Sequence, residues 1–285
     1  MTSTFVCLVA TGLLLFSNPS LRRVNEERGS QQQMTEQSVE ARQYLNDGVR
    51  AFKDGKIAGA IENFKRAEEL DPTLVNAQLY LGTAYSAEFI PGDTSAGNVQ
   101  TGHLALGVFK ELLKEHSDNV SAIDGAGTIL YYLSGNPFDT QIMEESKSFH
   151  QRHVELRPQD PEPYYWIGVI DWTIAFHGNH EMRHAYNKTA SHVLGDREPM
   201  VPELAASFEQ KYGETVQEGI KNLNQAITLR PEYGDAMAYL NLLYRQKADM
   251  ETPATARDND LKAADDLVNK VKAIKAKESV EVPQR

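Results

Sequence analysis

A 34-residue period is the feature of this sequence that most constrains its fold. Gly48 and Gly82 are 34 residues apart, and each lies in a stretch with the apolar spacing of a helix. Gly127 and Gly168 occupy the same kind of position in later stretches. A fixed period of this length is typical of proteins built from stacked copies of one supersecondary unit. The chain is therefore predicted to be an array of repeats rather than a fold around one central core.

The residues within the first period, 41–74, indicate what the repeated unit is. Small, aromatic and proline residues stand at fixed places in it: Tyr44, Gly48, Gly55, Ala60, Phe64, Ala67 and Pro72. Gly48 and Ala60 are small where the two antiparallel helices of a unit would touch. Gly55 would end the first helix, and Pro72 cannot continue the second. In this combination of residues the segment resembles the tetratricopeptide-repeat (TPR) family.

The resemblance implies an all-α fold, a TPR-type α-solenoid of antiparallel helix pairs, here with irregular inserted loops. Over residues 226–249 the chain is also similar to exported bacterial TPR proteins to which no activity is assigned. This likeness implies an architecture and no catalytic activity. Stacked repeats of this kind form a concave surface lined by their first helices, and function in such folds is usually located there.

The period and the apolar spacing predict the later helices and leave one region open. Helices are predicted over 79–85, 105–115, 120–133, 142–156, 161–176, 235–247 and 260–275. The Pro-, Gly- and Ser-rich stretch 88–98 is predicted to be an inserted loop. Pro158 and Pro231, which both follow a Leu-Arg pair, are 73 residues apart, or two repeat lengths plus five. Residues 178–213 are therefore either one degenerate repeat or one insertion.

The ends of the chain differ from the repeats in composition. Residues 5–16 form an apolar run of twelve, which suits a secretory signal and is too short for a relaxed transmembrane span. Residues 1–20 are predicted to be a signal peptide, or an uncleaved signal anchor because Arg22 and Arg23 follow the run. The polar, Gln-rich stretch 21–39 is predicted to be a disordered tether, 40–275 the solenoid, and 276–285 a disordered tail. The chain is thus expected to be exported, periplasmic or secreted, or held by its N-terminal segment.

Charge and cysteine content restrict the partners. The formal net charge is -11, and the sequence has no basic block of the kind that nucleic-acid phosphates require. Cys7, the single cysteine, lies in the apolar run, so the repeats can form no intramolecular disulfide and no thiolate metal site. No cofactor is expected. A partner is expected to be another protein or a peptide segment that is neutral or basic.

One short motif has the residue types of a zinc hydrolase. His180, Glu181 and His184 form an H-E-x-x-H, which on a helix places two imidazoles one turn apart beside a carboxylate base. Arg183 puts a fixed charge inside the motif, and the motif follows Gly178-Asn179, a helix-stop signal. The favoured interpretation is a solvated helix or loop, and a zinc-dependent hydrolase is the alternative function.

Aligning the first helices of the repeats predicts which residues line the binding groove. The candidates are Arg42, Asn76, Tyr165, Trp172 and Ala238. Tyr165 and Trp172 are seven residues apart, or two turns, so both rings should project from one stripe of their helix. The predicted function is a protein–protein interaction scaffold in the cell envelope or periplasm, with no enzymatic activity.

Overall fold

The computed structural model describes the backbone of residues 19–135, 137–196, 198–251 and 254–281, and the side chains of 34–277 within those ranges. These residues form ten helices: α1 (Pro19–Lys53), α2 (Ile57–Leu70), α3 (Val75–Glu88), α4 (Ala96–Glu115), α5 (Val120–Leu133), α6 (Thr140–Leu156), α7 (Pro161–Asn187), α8 (Pro202–Leu229), α9 (Gly234–Met250) and α10 (Ala254–Glu281). The β-pairing within these ranges is one isolated bridge between Gly135 and Phe138. The predicted all-α fold is confirmed.

The helix bounds follow the sequence signals closely in the regular repeats. Helix α5 begins and ends at the predicted residues, Val120 and Leu133. Asn119 caps its first turn, because the Asn119 side chain accepts a hydrogen bond from the backbone N–H of Ala122 at 3.0 Å. The inserted loop predicted over 88–98 is the connection between α3 and α4, although α4 begins at Ala96 and so is longer than predicted.

The chain divides into two compact units, 1–84 and 85–285, and the boundary lies within α3. In unit 1, α1 and α2 pack as the predicted antiparallel pair. A Cβ atom at Gly48 would lie 2.5 Å from the ring of Phe64, so only glycine lets the two helices approach this closely. Gly55, in the turn between them, has a φ of +74°, which side chains rarely adopt. Both glycines therefore have the roles that the repeat pattern predicts.

The N-terminal segment differs from its prediction. Residues 21–39, predicted as a disordered tether, belong to α1, which runs for 35 residues. The segment is rich in Glu, Gln and Arg, which have high helix propensity, and it continues a helix that is packed further along. Residues 1–18 of the predicted signal sequence, and 282–285 of the predicted tail, lie outside the described residues, whereas 276–281 are helical.

Unit 2 contains three packed helix pairs, α5 with α6, α7 with α8, and α9 with α10. Small residues again mark the contacts. A Cβ atom at Gly127 would lie 2.7 Å from the imidazole of His150, and one at Gly168 would lie 2.3 Å from Leu223. The series of small positions read from the sequence is therefore a series of close helix contacts.

The region left open by the sequence, 178–213, is one insertion that lengthens a helix pair. Helix α7 continues to Asn187 and α8 begins at Pro202, so the two helices have 27 and 28 residues. The helix-stop signal predicted at Gly178-Asn179 is wrong, because the ring of Tyr212 packs on Gly178, 2.2 Å from where a Cβ atom would stand.

Within the described ranges, none of the helices combines the length and the apolar composition of a membrane-spanning segment.

Candidate functional site

Aromatic rings on the first helices of the helix pairs of unit 2 form a continuous series. On α5, Tyr131 and Tyr132 lie with ring centroids 5.3 Å apart, and Tyr131 lies 5.5 Å from Trp166 on α7. Trp166 lies 5.7 Å from Tyr165, whose ring is 5.9 Å from that of Tyr239 on α9. Most of these contacts are edge-to-face or tilted, the arrangements that aromatic pairs prefer. The series therefore links three consecutive first helices.

Trp172 and Phe176 continue the series along α7, two and three turns after Tyr165. Their rings stack with centroids 5.2 Å apart, and Trp172 also meets the ring of Tyr239 at 5.2 Å. Trp172 is half-buried, whereas Phe176 is 43% exposed. Five rings of the series, none of them fully buried, are called the aromatic surface below: Tyr132, Tyr165, Trp172, Phe176 and Tyr239.

The structure places the five predicted groove residues in two groups. Tyr165 and Trp172 share one face of α7, since both rings contact Tyr239, and Ala238 is half-buried beside Tyr239 on α9. Arg42 on α1 and Asn76 on α3 are exposed, and both belong to unit 1. Unit 2 therefore contains the part of the predicted groove that the structure brings together.

Burial of the predicted aromatic residues is greater than a purely surface role requires. Tyr165 also packs against Tyr233 at 5.1 Å, and burial raises the pKa of the Tyr165 phenol well above its usual range. Trp172 packs against the hydrophobic core of unit 2. Phe176 was not among the predicted groove residues, although its position four residues after Trp172 is a helical-stripe signal that could have found it.

Two clefts, each of about 620 Å³, lie on either side of this part of α7. The first is called the arginine cleft and is lined by Trp172 and Phe176 together with Leu242, Arg245, Gln246, Asp249 and Arg257. The second is called the tyrosine cleft and is lined by Phe89, Asp93, His103, Tyr131, Tyr132, Phe138, Thr173 and His177, among others. Both volumes are within the range of ligand-binding clefts.

The H-E-x-x-H motif lies on the extended part of α7. His180, Glu181 and His184 are exposed, as the solvated-helix interpretation predicts. The described residues contain no group of three His, Cys, Asp or Glu side chains arranged to hold a metal ion. The two histidines therefore lack a third protein ligand of these types within the described part of the chain, which a catalytic zinc site requires.

Arg183, inside the motif, has a structural role that the sequence does not reveal. It is 5% exposed and donates hydrogen bonds to Asn179 Oδ1 at 2.7 Å, to Asp249 Oδ2 at 3.0 Å and to the carbonyl of Gly195 at 3.1 Å. These bonds connect α7 with α9 and with the loop before α8. Such charge-assisted bonds fix the orientation of the end of α7.

A buried charged cluster, not predicted from the sequence, lies between α6, α7 and α8. The ammonium of Lys147 donates to Asp171 Oδ1 and to Glu218 Oε2, each at 2.7 Å. Burial raises the pKa of Asp171 to about 7, although Lys147 opposes this shift. Burial alone would lower the pKa of Lys147, but the two carboxylates raise it above its usual range. The sequence signal for this cluster was Asp171, a charged residue inside the apolar run 167–175.

Two histidines of α6 are buried, and one of them, His150, lies beside the aromatic series. The His150 ring stacks on Trp166 with centroids 5.5 Å apart, and neither of its nitrogens has a hydrogen-bond partner among the described residues. Burial therefore lowers the pKa of His150 below its usual value, although Asp124 opposes the shift. His153 Nδ1 is hydrogen-bonded to Asp124 Oδ1 at 2.8 Å.

Comparison with known proteins gives the fold a name. Residues 49–87 match the family model of the TPR repeat. MamA (41-end) from Desulfovibrio magneticus RS-1 superposes with a TM-score of 0.54 at 17% identity, over 84% of this chain and 96% of that one. A structure described as a MamA RS-1 ArsTM double mutant gives 0.55 at 16%, over 85% and 98%. No curated protein matches the sequence.

A third similar structure is YrrB, described as a TPR protein with an unusual peptide-binding site. It superposes with a TM-score of 0.50 at 16% identity, over 82% of this chain and 90% of YrrB. At these identities the likeness shows the fold. The chain therefore has the TPR fold that its repeat pattern predicts, and residues 49–87 carry the family's own repeat signature.

Proposed function

We propose that this TPR-fold chain is a non-enzymatic scaffold that binds a segment of another protein across the aromatic surface of unit 2. The observation that carries the proposal is the stacked pair Trp172 and Phe176, of which Phe176 is 43% exposed on the wall of a cleft. Binding energy at protein interfaces concentrates in a few aromatic and arginine anchors, and concave apolar sites are where partners bind.

The fold and the charge of the chain support the kind of partner proposed. YrrB, which has a similar fold, is described as having a peptide-binding site. The net charge of -11 favours a neutral or basic segment, because long-range attraction accelerates encounter with a partner of opposite sign. The proposed partner is therefore a protein or peptide segment, with no nucleic acid involved.

The proposed place of action is the cell envelope or periplasm. It rests on the twelve-residue apolar run 5–16, which has the length of a secretory signal. Contact with a membrane would then be limited to an uncleaved N-terminal anchor. Cell fractionation with an antibody against unit 2 tests this location, and recovery of the chain in the cytoplasmic fraction would refute it.

The test of the binding surface uses an exposed residue, because loss of a half-buried one would also reduce stability. Phe176→Ala removes the 43%-exposed ring, and Leu156→Ala on α6 removes a side chain that is 42% exposed and lines neither cleft. We expect a partner captured by the wild-type chain to bind at least tenfold more weakly to Phe176→Ala, since loss of an anchor costs about 2 kcal/mol.

The Leu156→Ala variant is expected to keep wild-type affinity, and both variants are expected to keep the wild-type melting temperature within about two degrees, since exposed substitutions change stability little. Equal binding by the wild-type chain and by Phe176→Ala would remove the aromatic surface from the binding site. Trp172→Ala should weaken binding further. Its effect is harder to interpret, because the Trp172 ring also packs on the core and its loss would reduce stability.

A further inference from the structure

We propose that the tyrosine cleft holds the guanidinium group of an arginine side chain of the bound segment, between the ring of Tyr132 and the carboxylate of Asp93. The inference rests on the proposed function and deepens it, because it states which chemical group of the partner enters the second cleft. It follows from the types of side chain that line the cleft and from their charges.

Aromatic rings dominate the lining. Four aromatic rings line the cleft: Tyr131 and Tyr132 come from α5, Phe89 from the loop before α4, and Phe138 from the loop after α5. The face of such a ring carries partial negative charge and attracts cations. Tyr132 is 37% exposed, so its ring is available to a side chain entering from solvent.

The charges of the cleft favour a cation. Asp93 is the acidic residue among the described lining residues, and none of those residues is Lys or Arg. Its carboxylate accepts hydrogen bonds from the backbone N–H and the hydroxyl of Ser95, at 2.8 and 3.1 Å, and neither donor is charged. No Lys or Arg side chain within the described part of the chain forms an ion pair with Asp93, so its charge is not neutralised by its surroundings.

Two histidines, His103 and His177, also line the cleft. Burial lowers the pKa of His177 below its usual value, despite the nearby Glu181, and so disfavours the charged imidazolium form. The His177 ring is stacked on Phe138 with centroids 3.8 Å apart and planes 5° from parallel. This stacked pair forms a flat wall of the cleft.

The aromatic and acidic lining favours arginine over lysine. A guanidinium group is planar and weakly hydrated, and it stacks on aromatic faces while it donates to a carboxylate in the same plane. The rings of the cleft are already fixed by their own contacts, 5.3 Å from Tyr131 to Tyr132 and 6.4 Å from Phe89 to Tyr132. Binding would therefore require little ordering of the protein.

The direct test compares probes of the same shape with and without charge. Nα-acetyl-arginine amide is titrated into the full chain, with Nα-acetyl-citrulline amide as the neutral matched probe and Nα-acetyl-lysine amide as the second cation. Binding is followed by saturation-transfer NMR and by tryptophan fluorescence, since Trp166 lies 5.5 Å from Tyr131 and 6.5 Å from Tyr132. We expect a millimolar dissociation constant for the arginine probe, a value at least tenfold higher for citrulline and an intermediate value for lysine.

Variants locate the bound probe. Asp93→Asn keeps the size of the side chain in an exposed loop, and we expect it to weaken the arginine probe at least fivefold and to leave the citrulline probe unchanged. Tyr132→Leu should weaken both cations at least fivefold, whereas Leu156→Ala, outside both clefts, should change neither. Melting curves by circular dichroism confirm that each variant is folded.

Equal affinity for arginine and citrulline probes would overturn the proposal, because the cleft would then select shape and not charge. Arginine binding that survives both Asp93→Asn and Tyr132→Leu would also overturn it, since the cation would sit elsewhere. These failures are separate from failure of the proposed function: a partner whose binding depends on Phe176 would still be captured. Conversely, arginine binding in the cleft with no effect of Phe176→Ala on the partner would refute the role of Phe176 and would leave the cation site at Tyr132 and Asp93 supported.

Discussion

Replacing Gly168 by alanine tests the contact that holds the lengthened helix pair together. A Cβ atom at Gly168 would lie 2.3 Å from Cγ of Leu223 and 2.7 Å from Cδ2. Ordinary carbon contacts are about 3.5–4.0 Å, so one of the two helices must move by more than an ångström or Leu223 must leave its rotamer. Leu223 has no exposed surface, which leaves its branched end no free space to enter.

The expected cost follows from these distances. Overpacking of a core costs about 1–3 kcal/mol, and a clash this close with a fully buried carbon belongs at the upper end of that range. Alanine gains about 1 kcal/mol over glycine in helix propensity, which leaves a net loss of about 2 kcal/mol. For a unit of this size we expect the melting temperature to fall by about 4–8 °C.

Gly107→Ala is the matched control for this substitution. Gly107 also lies inside a helix of unit 2, but a Cβ atom there would meet nothing within 4 Å. The same change of residue should therefore raise stability by up to about 1 kcal/mol, or about 2–4 °C. The two variants are compared by thermal and urea denaturation, followed by circular dichroism at 222 nm.

A second substitution separates overpacking from other effects of Gly168→Ala. Leu223→Ala alone should cost about 2–5 kcal/mol, because it leaves a cavity in a buried site. In the double variant the new methyl group occupies part of that cavity, so the combined loss should be smaller than the sum by at least about 1 kcal/mol. A Gly168→Ala chain as stable as Gly107→Ala, or strictly additive losses in the double variant, would refute the close contact.

Two further predictions concern the buried polar groups. Lys147→Met should cost about 3–5 kcal/mol of stability, because it leaves the carboxylates of Asp171, which is buried, and of Glu218 without their cation. Adding Asp171→Leu should recover part of the loss. No recovery in urea denaturation would contradict the pairing. The lowered pKa of His150 means that the unfolded chain binds its proton more readily, so this group's contribution to stability is present above pH 6.5 and lost as pH falls, by up to about 1.4 kcal/mol per pH unit. Asp171 acts in the opposite direction between pH 4 and 7. The measurement is therefore the free energy of unfolding of the wild-type chain minus that of His150→Phe, which should fall as pH falls from 7 to 5. A constant difference would contradict the burial argument.

The regular part of the fold could be predicted because its signals are local and repeated. Gly48, Gly127 and Gly168 mark helix contacts, since a close approach of two helices demands a small residue at each recurrence of the period. The bounds of α5 agree with those predicted from the repeat around Gly127, and in the structure Asn119 caps the start of the helix.

The irregular part could not be predicted, because it depends on contacts between residues far apart in the sequence. Gly178-Asn179 has the composition of a helix end, but the ring of Tyr212 packs on Gly178, and Asn179 donates to Gln246 and Asp249. Tertiary contacts of this kind override local propensity. The length of α7 therefore depends on its contacts with α8 and α9. The sequence of α7 alone does not indicate these contacts.

Only part of the candidate site could be predicted from the sequence. The seven-residue spacing of Tyr165 and Trp172 predicted a shared face, because helical geometry alone determines it, and both rings do meet Tyr239. The tyrosine cleft had no such signal. Phe89, Asp93 and Phe138 come from two inserted connections that have no period, so nothing in their spacing indicated that they would line the same cleft.

The lengthening of α7 explains how two clefts can exist side by side. Phe176 lines the arginine cleft and His177 lines the tyrosine cleft, because successive residues of a helix project about 100° apart. In a helix that ended at Phe176, as the repeat pattern predicts, Phe176 would lie in a last turn that readily frays, and His177 would lie beyond the helix. The extra residues up to Asn187 place them inside the helix instead. Arg183 then ties the extension to Asp249 of α9, so the part of α7 that separates the two clefts continues into a helical segment that is fixed by a tertiary contact.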